Sequence, residues 1–220
     1  MYATNPGLII GFHGCDMVRQ QELLAHNAPM PVSDNDYEWL GHGMYFWENN
    51  YDRAMQWAEK KYAKDPAKEP AVIGAVIDLG YCCDLLDKRF ITTVQTYYTL
   101  MKAEYEEDGR DLPVNENLTK DPNKDKLLRK LDCSVLEFMH SQVLQEAQKE
   151  VKDQGYSRYK LFDSVRGVFT EGDFAFPGAG FYEKSHLQIC VRNPNSIKGF
   201  FLKRDEIDFW DEQIKKELLR

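Results

Sequence analysis

No run of about 18 apolar residues occurs in this 220-residue chain, so the sequence predicts no transmembrane helix. The first residues also lack the basic stretch, apolar segment and small-residue cleavage site of a secretory signal. We therefore expect a cytoplasmic protein that does not contact a membrane. Internal repeats and low-complexity tracts are missing too, and 43% hydrophobic residues are enough for one sizeable core. A single domain over residues 1–220 is the expectation.

Several signatures of common chemistry are also absent. The five cysteines show no CxxC or Cys/His spacing, so we expect buried, reduced thiols and no bound metal. No GxGxxG segment links a strand to a helix, and no GxSxG elbow is present. These absences argue against a nicotinamide-dependent dehydrogenase and a serine hydrolase. The net charge of -8 argues against a broad basic nucleic-acid surface and leaves room only for a local basic patch.

Hydrophobic patterning predicts a chain of alternating strands and helices. An apolar run over residues 8–14 predicts a buried strand that ends near His13, and Asp16 is the expected N-cap of a helix. Residues 134–152 form the longest predicted helix, opened by a capping box at Ser134 and Glu137. Further strands are predicted over residues 43–47, 71–79, 164–171, 187–192 and 196–203, and further helices over residues 16–27, 51–63, 92–107 and 205–219.

The middle of the chain differs in kind from its two ends. Residues 90–155 are predicted to be a helical insert, and within them the polar segment 108–126 is expected to be a mobile surface loop.

Three separated segments combine glycine, an aromatic ring and a polar side chain. In the first, Gly11-Phe12-His13-Gly14, flanking glycines let a flat ligand approach the backbone, and Gly14 can offer its N–H and C=O to an amide. A single histidine at a strand end is, however, more often a core or surface residue. This segment therefore indicates a ligand site only in combination with the other two segments.

The second segment is Gly41-His42-Gly43-Met44-Tyr45-Phe46-Trp47, and Trp57 follows on the next predicted helix. Aromatic faces such as those of Tyr45 and Trp57 can sandwich a pyridinium ring by stacking and cation–π attraction. The alternative is that both rings belong to the core.

The third segment begins at Ser164-Val165-Arg166-Gly167, continues through a Gly-, Phe- and Pro-rich loop over residues 172–181, and ends in a strand that holds Gln188. An exposed apolar loop suits substrate recognition, and an ordinary hairpin connection is the alternative.

Together the three segments resemble the catalytic domain of the poly(ADP-ribose) polymerase and diphtheria-toxin-like ADP-ribosyltransferases, whose His, Tyr and acid lie on three strands. Phe12-His13-Gly14 is similar to the family's His-Gly, the segment ending Met44-Tyr45-Phe46 to its Gly-x-Gly-Ile-Tyr-Phe, and Ser164-Val165-Arg166-Gly167 to its Ser-Val-Lys-Gly. The resemblance covers about two thirds of the chain and leaves the insert unmatched. It implies an α+β fold, with an ADP-ribosyltransferase-like split mixed β-sheet flanked by helices, and NAD as the co-substrate.

The resemblance also implies a role for each site residue. His13 would hydrogen-bond the adenosine ribose, Gly14 would hold the carboxamide, and Tyr45 and Trp57 would stack on nicotinamide. Gln188 aligns with the catalytic glutamate and would orient the nicotinamide ribose. Because glutamine is no base, the substitution implies transfer of single ADP-ribose units rather than chains.

The acceptor would be a macromolecule, either protein or RNA/DNA. A toxin or anti-phage effector, with an antitoxin or regulatory protein as partner, fits a small transferase by analogy. Three alternatives stay open: a catalytically inactive NAD or ADP-ribose binding module, a scaffold that binds a partner through residues 90–155, and an enzyme in which Glu183 supplies the acid.

Overall fold

The computed structural model describes residues 7–26, 28–119, 123–205, 210 and 214–216. Helices and strands alternate from Ile9 to Ile77, and the later strands come in groups before, between and after two long helices. The elements are β1 (Ile9–Asp16), α1 (Met17–Leu24), β2 (Met44–Glu48), α2 (Tyr51–Tyr62), β3 (Pro70–Ile77), β4 (Cys82–Asp84), α3 (Lys88–Glu107), β5 (Asn115–Glu116), β6 (Leu128–Arg129), α4 (Lys130–Gln154), β7 (Ser164–Phe169), β8 (His186–Val191), a 3₁₀ turn (Pro194–Ser196) and β9 (Ile197–Phe201).

A seven-stranded sheet organises these elements, in the order β4-β7-β8-β2-β1-β3-β9. β4 pairs with β7 in parallel, and the remaining neighbours are antiparallel, so the sheet is mixed. β5 and β6 form a separate two-stranded pair. The prediction of an α+β fold with a mixed sheet flanked by helices is confirmed.

Helices cover both faces of the sheet. On one face Leu23 of α1 packs in a core cluster with sheet residues such as Phe46 and Ile73. On the other face, called the α2 face, α2 packs over β1 and β3, and α4 packs over the other end through Leu136 and Met139.

The middle of the α2 face lies between these two helical groups. Trp47, Gln188 and Gly167 stand directly opposite one another on β2, β8 and β7. Directly opposed residues of antiparallel strands point to the same face of a sheet. Gln188 therefore lies between a tryptophan and a glycine, in the middle of the α2 face.

The pairing of β1 with its two neighbours is unequal. All eight residues of β1 pair with β3, but only Gly11 and Phe12 pair with β2. His13 is therefore the first residue of β1 beyond the β1–β2 ladder, where a side chain has room to enter between the two strands.

Two helix starts show how local patterns succeed and fail. The Asp16 N-cap is confirmed, because its Oδ1 accepts from the Arg19 amide at 2.9 Å. The capping box at Ser134 is wrong, since α4 already begins at Lys130 and Ser134 lies inside it. Asn115 caps this helix from a distant segment, accepting from the amide of Leu131 at 3.0 Å.

Three further segments, one inside the insert and two outside it, are compared with their predictions. The segment 108–126 was expected to be a mobile loop, but its Asn115–Glu116 pairs as a strand with Leu128–Arg129. β4 has no counterpart among the predicted strands, because three residues carry too little periodicity. The helix predicted over residues 205–219 falls mostly outside the described residues.

Candidate functional site

His13 is held between two strands by a single hydrogen bond. Its Nδ1 lies 2.9 Å from the carbonyl oxygen of Tyr45. A carbonyl only accepts, so Nδ1 carries the hydrogen and Nε2 keeps its lone pair. Burial lowers the pKa of His13 to about 4, although the bond to Tyr45 opposes that shift. Near neutral pH the imidazole is therefore uncharged and offers an acceptor at Nε2.

The ring of His13 contacts residues from both layers of the fold. It lies 6.0 Å from Phe46, a member of the core under α1, and 6.5 Å from Trp57 on α2, measured between ring centroids. In the β1–β3 pairing His13 stands opposite Ile73 of the core under α1, and its imidazole enters the opening between β1 and β2, where it reaches Trp57 on the α2 side.

Gly14 allows α2 to approach the sheet closely. A Cβ at this position would overlap the carbonyl oxygen of Ala54 and lie 3.0 Å from Cε3 of Trp57. Helix packing thus gives a reason for this glycine that is independent of any ligand. The same packing brings Gly14 and Trp57, two of the predicted nicotinamide contacts, next to each other.

Trp57 is half-buried and has one cationic neighbour. Its ring lies 5.7 Å from that of Trp47, in a tilted arrangement, and the Nζ of Lys61 lies 4.5 Å from its centroid. Partial burial lowers the pKa of Lys61. His13, Trp47 and Lys61 thus all lie near the Trp57 ring, and the stacking of nicotinamide on it stays a prediction.

Tyr45 packs toward the other end of the α2 face. Its side chain contacts the core cluster that includes Leu136 and Cys190, and burial raises its pKa well above the usual value. The hydroxyl donates to the carbonyl of Gly41 at 2.7 Å and accepts from the amide of Leu40 at 3.0 Å. Tyr45 therefore fixes the loop that precedes β2, and its contact with nicotinamide stays a prediction.

A charged pair anchors the same loop to α4. Glu137 accepts from the amide of His42 at 2.7 Å and from the guanidinium of Arg192 at 2.5 Å, and Arg192 also donates to the carbonyl of His42 at 2.9 Å. Burial alone would raise the pKa of Glu137, but the hydrogen bonds from Arg192 keep it below the usual range. The carboxylate is therefore ionised and holds the loop firmly.

Gln188 is covered by a tryptophan from this loop. Nε1 of Trp39 lies 2.5 Å from Oε1 of Gln188. An indole N–H only donates, so the amide oxygen faces Trp39 and the NH₂ group points away from it. Gly167 makes the arrangement possible, because a Cβ there would lie 2.7 Å from Cη2 of Trp39. Gln188 thus has a fixed orientation before any ligand binds.

Three nitrogen atoms near β8 are buried without a hydrogen-bond partner: Nε1 of Trp47, Nε2 of His186 and Nε of Arg53. His186 lies between Trp47 and Phe169, at centroid distances of 6.3 and 5.7 Å, and burial lowers its pKa. A buried N–H without an acceptor costs about 1–3 kcal/mol. Such unpaired groups occur at functional sites. Two of the three, on Trp47 and Arg53, are N–H donors, which a ligand rich in hydrogen-bond acceptors would satisfy.

The segment between β7 and β8 is a hairpin with an exposed aromatic end. Phe174 stacks on Tyr182 at 5.2 Å, and Phe176 and Phe181 are 56% and 58% exposed. The amide of Ala179 donates to the carbonyl of Phe176 at 2.9 Å, which closes the turn. The backbone is therefore that of a hairpin, but its apolar rings remain available to a partner.

Glu183 lies in this hairpin rather than in β8. Its carboxylate is about half exposed and lies 3.5 Å from Nζ of Lys184. Gln188, in contrast, is in the strand and opposite Trp47. The geometry favours Gln188 over Glu183 as the residue that faces a ligand on the α2 face.

The cysteines do not offer a nucleophile. All five are buried and free, and burial raises the pKa of Cys15, the one beside His13, to about 11.

Among the described residues, no group of three or more His, Cys, Asp or Glu side chains is arranged to hold a metal ion. In the same part of the chain, no helix is both long and apolar enough to cross a bilayer.

Sequence reasoning missed Trp39, His186 and Arg53. A signal existed for two of them: Trp39 stands two residues before Gly41, and His186 is two residues from Gln188 and hence on its face of the strand. Arg53 had none, since its salt-bridge partner Glu171 is 118 positions away.

No family model, curated protein or solved structure matches this chain. The function is therefore inferred from the side chains of the candidate site and from their contacts.

Proposed function

We propose that the chain is an NAD-dependent mono-ADP-ribosyltransferase, which releases nicotinamide and transfers one ADP-ribose unit to a macromolecular acceptor. One observation carries the proposal. His13, Tyr45 and Gln188 lie on three neighbouring strands, β1, β2 and β8, and His13 stands where the β1–β2 ladder ends. From the resemblance in sequence we expect the residues at these three positions to surround NAD.

The chemistry needs positioning more than acid catalysis. The bond between the ribose anomeric carbon and the nicotinamide nitrogen breaks, and its electron pair leaves with nicotinamide, which becomes neutral. The anomeric carbon then accepts an electron pair from the acceptor nucleophile, whose proton passes to water. Nε2 of His13 would accept from a ribose hydroxyl, and the NH₂ group of Gln188 would donate to a ribose oxygen. Both contacts orient the substrate in the transition state.

Single-unit transfer follows from the amide at position 188. A carboxylate can take up a proton from an attacking hydroxyl, but a carboxamide has no basic oxygen. The acceptor must therefore bring a nucleophile that needs little activation. The exposed rings of Phe176 and Phe181 are the proposed acceptor contacts, and the net charge of -8 favours a protein over RNA or DNA.

The experiment is an incubation of purified chain, isotopically labelled NAD, and cell protein and nucleic acid, followed by mass spectrometry. The expected product is a macromolecule with one labelled ADP-ribose at each modified position. His13→Ala, purified in the same way, is the control for non-enzymatic labelling. Chains of ADP-ribose, or equal labelling by the control, would contradict the proposal.

A second function is favoured by the contact between Trp39 and Gln188. The amide oxygen of Gln188 already accepts from the indole N–H, so that acceptor is not free for a ribose hydroxyl of the substrate. The chain would then be a catalytically inactive NAD or ADP-ribose binding module. Calorimetric binding of NAD with no release of nicotinamide over hours would support this reading.

A further inference from the structure

A cavity of about 330 Å³ lies between the two helices of the insert. Val94 and Tyr98 of α3 line one side, Leu131 and Val135 of α4 line another, and Trp39 forms part of the wall. Trp39 is also the residue that donates to Gln188. The cavity and the candidate site thus share one side chain.

We propose that this cavity, called the insert cavity, binds a small uncharged molecule of two or three rings, and that Trp39 couples its occupancy to Gln188. The size follows from comparison, because an apolar cavity of about 150 Å³ holds benzene. A volume of about 330 Å³ therefore has room for fused rings. It also lies within the range of about 300–1,000 Å³ that is usual for small-molecule sites.

The charges at the cavity indicate a neutral ligand. Its two charged residues are Arg129 and Asp132, which pair with each other at 3.2 Å. Arg129 also donates to the carbonyl of Lys126 at 2.7 Å and lies over the ring of Phe169, and Asp132 accepts from Asn115 at 2.8 Å. Since the two charges already compensate each other, neither an anion nor a cation gains an unpaired partner here.

The coupling follows from the tight fit of Trp39. Its ring lies against the backbone of Gly167 on one side and at an angle to Phe169, 5.3 Å between centroids, on another. On these sides the ring is close-packed, whereas the insert cavity is a side toward which it can move, and such a movement changes the geometry of its hydrogen bond to Gln188. A molecule in the insert cavity therefore restrains Trp39 and, through this hydrogen bond, the Gln188 amide.

Binding is tested with 2-naphthol, which has two fused rings and one hydroxyl, by calorimetric or fluorescence titration. We expect saturable 1:1 binding, which Val94→Trp weakens at least 10-fold by filling the cavity. Leu100→Trp, an exposed position on the same helix outside the cavity lining, is the matched control and should bind as the wild type does. 2-Naphthalenesulfonate, the same rings with a negative charge, should bind at least 10-fold more weakly.

The first half of the proposal is overturned if 2-naphthol shows no saturable binding up to its solubility limit. Equal binding by Val94→Trp and Leu100→Trp, or stronger binding of the sulfonate, overturns it as well. If Val94→Trp does not fold, Tyr98→Ala replaces it, with the expectation of at least 5-fold weaker binding through loss of one wall.

Coupling is tested by ¹⁵N NMR of the Gln188 side-chain NH₂ group, with its signal assigned by its loss in Gln188→Ala. Saturating 2-naphthol should shift the Gln188 signal in the wild type and leave it unmoved in Trp39→Phe, which lacks the indole N–H that contacts Gln188. Binding without any shift of the Gln188 signal in the wild type overturns the coupling. An accompanying change in NAD turnover rests on the proposed function, whereas the binding and NMR results do not, so the two ideas fail separately.

Discussion

Replacing His13 separates its structural role from its proposed role in binding NAD. Alanine removes the whole imidazole and leaves the carbonyl of Tyr45 without its 2.9 Å donor. Loss of a buried hydrogen bond of this kind costs about 1–3 kcal/mol. Loss of the contacts with Phe46 and Trp57 adds to that cost. We therefore expect His13→Ala to lower the free energy of unfolding by about 2–4 kcal/mol in urea denaturation.

Asparagine is the informative substitution at this position. Its side-chain NH₂ group can replace Nδ1–H as the donor to Tyr45, but nothing in it replaces the Nε2 acceptor. His13→Asn should hence keep all but about 1 kcal/mol of the stability and lose about 10²-fold in NAD turnover, the typical effect of one positioned polar group.

The assay compares urea midpoints with the rate of nicotinamide release for the same purified variants. Turnover of His13→Asn within about threefold of wild type would refute the ligand role of Nε2. A urea midpoint of His13→Ala equal to that of wild type would refute the structural role of the bond to Tyr45.

Three other predictions use the same wild-type protein. First, burial lowers the pKa of His13 to about 4 and that of His140 to about 3, so below pH 6.5 the unfolded chain takes up these protons before the folded one does. Above pH 6.5 neither state is protonated, so these two histidines should lower the free energy of unfolding as the pH falls from 6.5 to about 4 for His13 and to about 3 for His140, each by up to about 1.4 kcal/mol per pH unit. His140→Leu should reduce this dependence on pH by up to about 1.4 kcal/mol per pH unit, the contribution of one proton. A plot of the free energy of unfolding against pH that keeps the wild-type slope would contradict the reasoning. Second, Phe176→Ser should reduce transfer to the acceptor severalfold and spare NAD hydrolysis by water; equal loss of both rates would assign the hairpin to NAD binding or to structure. Third, nicotinamide analogues should compete with NAD in calorimetry, and Tyr45→Ala should weaken NAD binding at least about 10-fold; unchanged affinity would mean that the pocket is misplaced.

The sequence predicted those features that depend on neighbouring residues. The cap at Asp16 and the strand predicted from the apolar run over residues 8–14 are local signals, and both are found in the structure. The strand does not end near His13 as expected, however, because it continues to Asp16 along its pairing with β3. The start of α4 was predicted wrongly because its cap, Asn115, comes from another segment. A periodic pattern contains no information on such a contact.

The same distinction applies to the candidate site. His13 and Tyr45 were proposed from segments that combine glycine and aromatic residues within a few positions, and Gln188 from its alignment with the family's catalytic glutamate; that they bind NAD stays a prediction. The orientation of Gln188 could not be predicted, because it depends on Trp39, which is 149 positions away and packs over Gly167. Contacts across the sheet are decided by the order of its strands, and the sequence pattern does not specify that order.

Nicotinamide release from NAD is the most direct test of the proposed transferase, measured side by side for the wild type, Gln188→Ala and Glu183→Gln. The proposed function predicts release by the wild type, a loss of about 10²-fold or more in Gln188→Ala, and little change in Glu183→Gln, since the Glu183 carboxylate is about half exposed in the hairpin. Circular dichroism of each variant confirms that the fold is kept. No release by the wild type at millimolar NAD, or a silent Gln188→Ala beside an inactive Glu183→Gln, would contradict it.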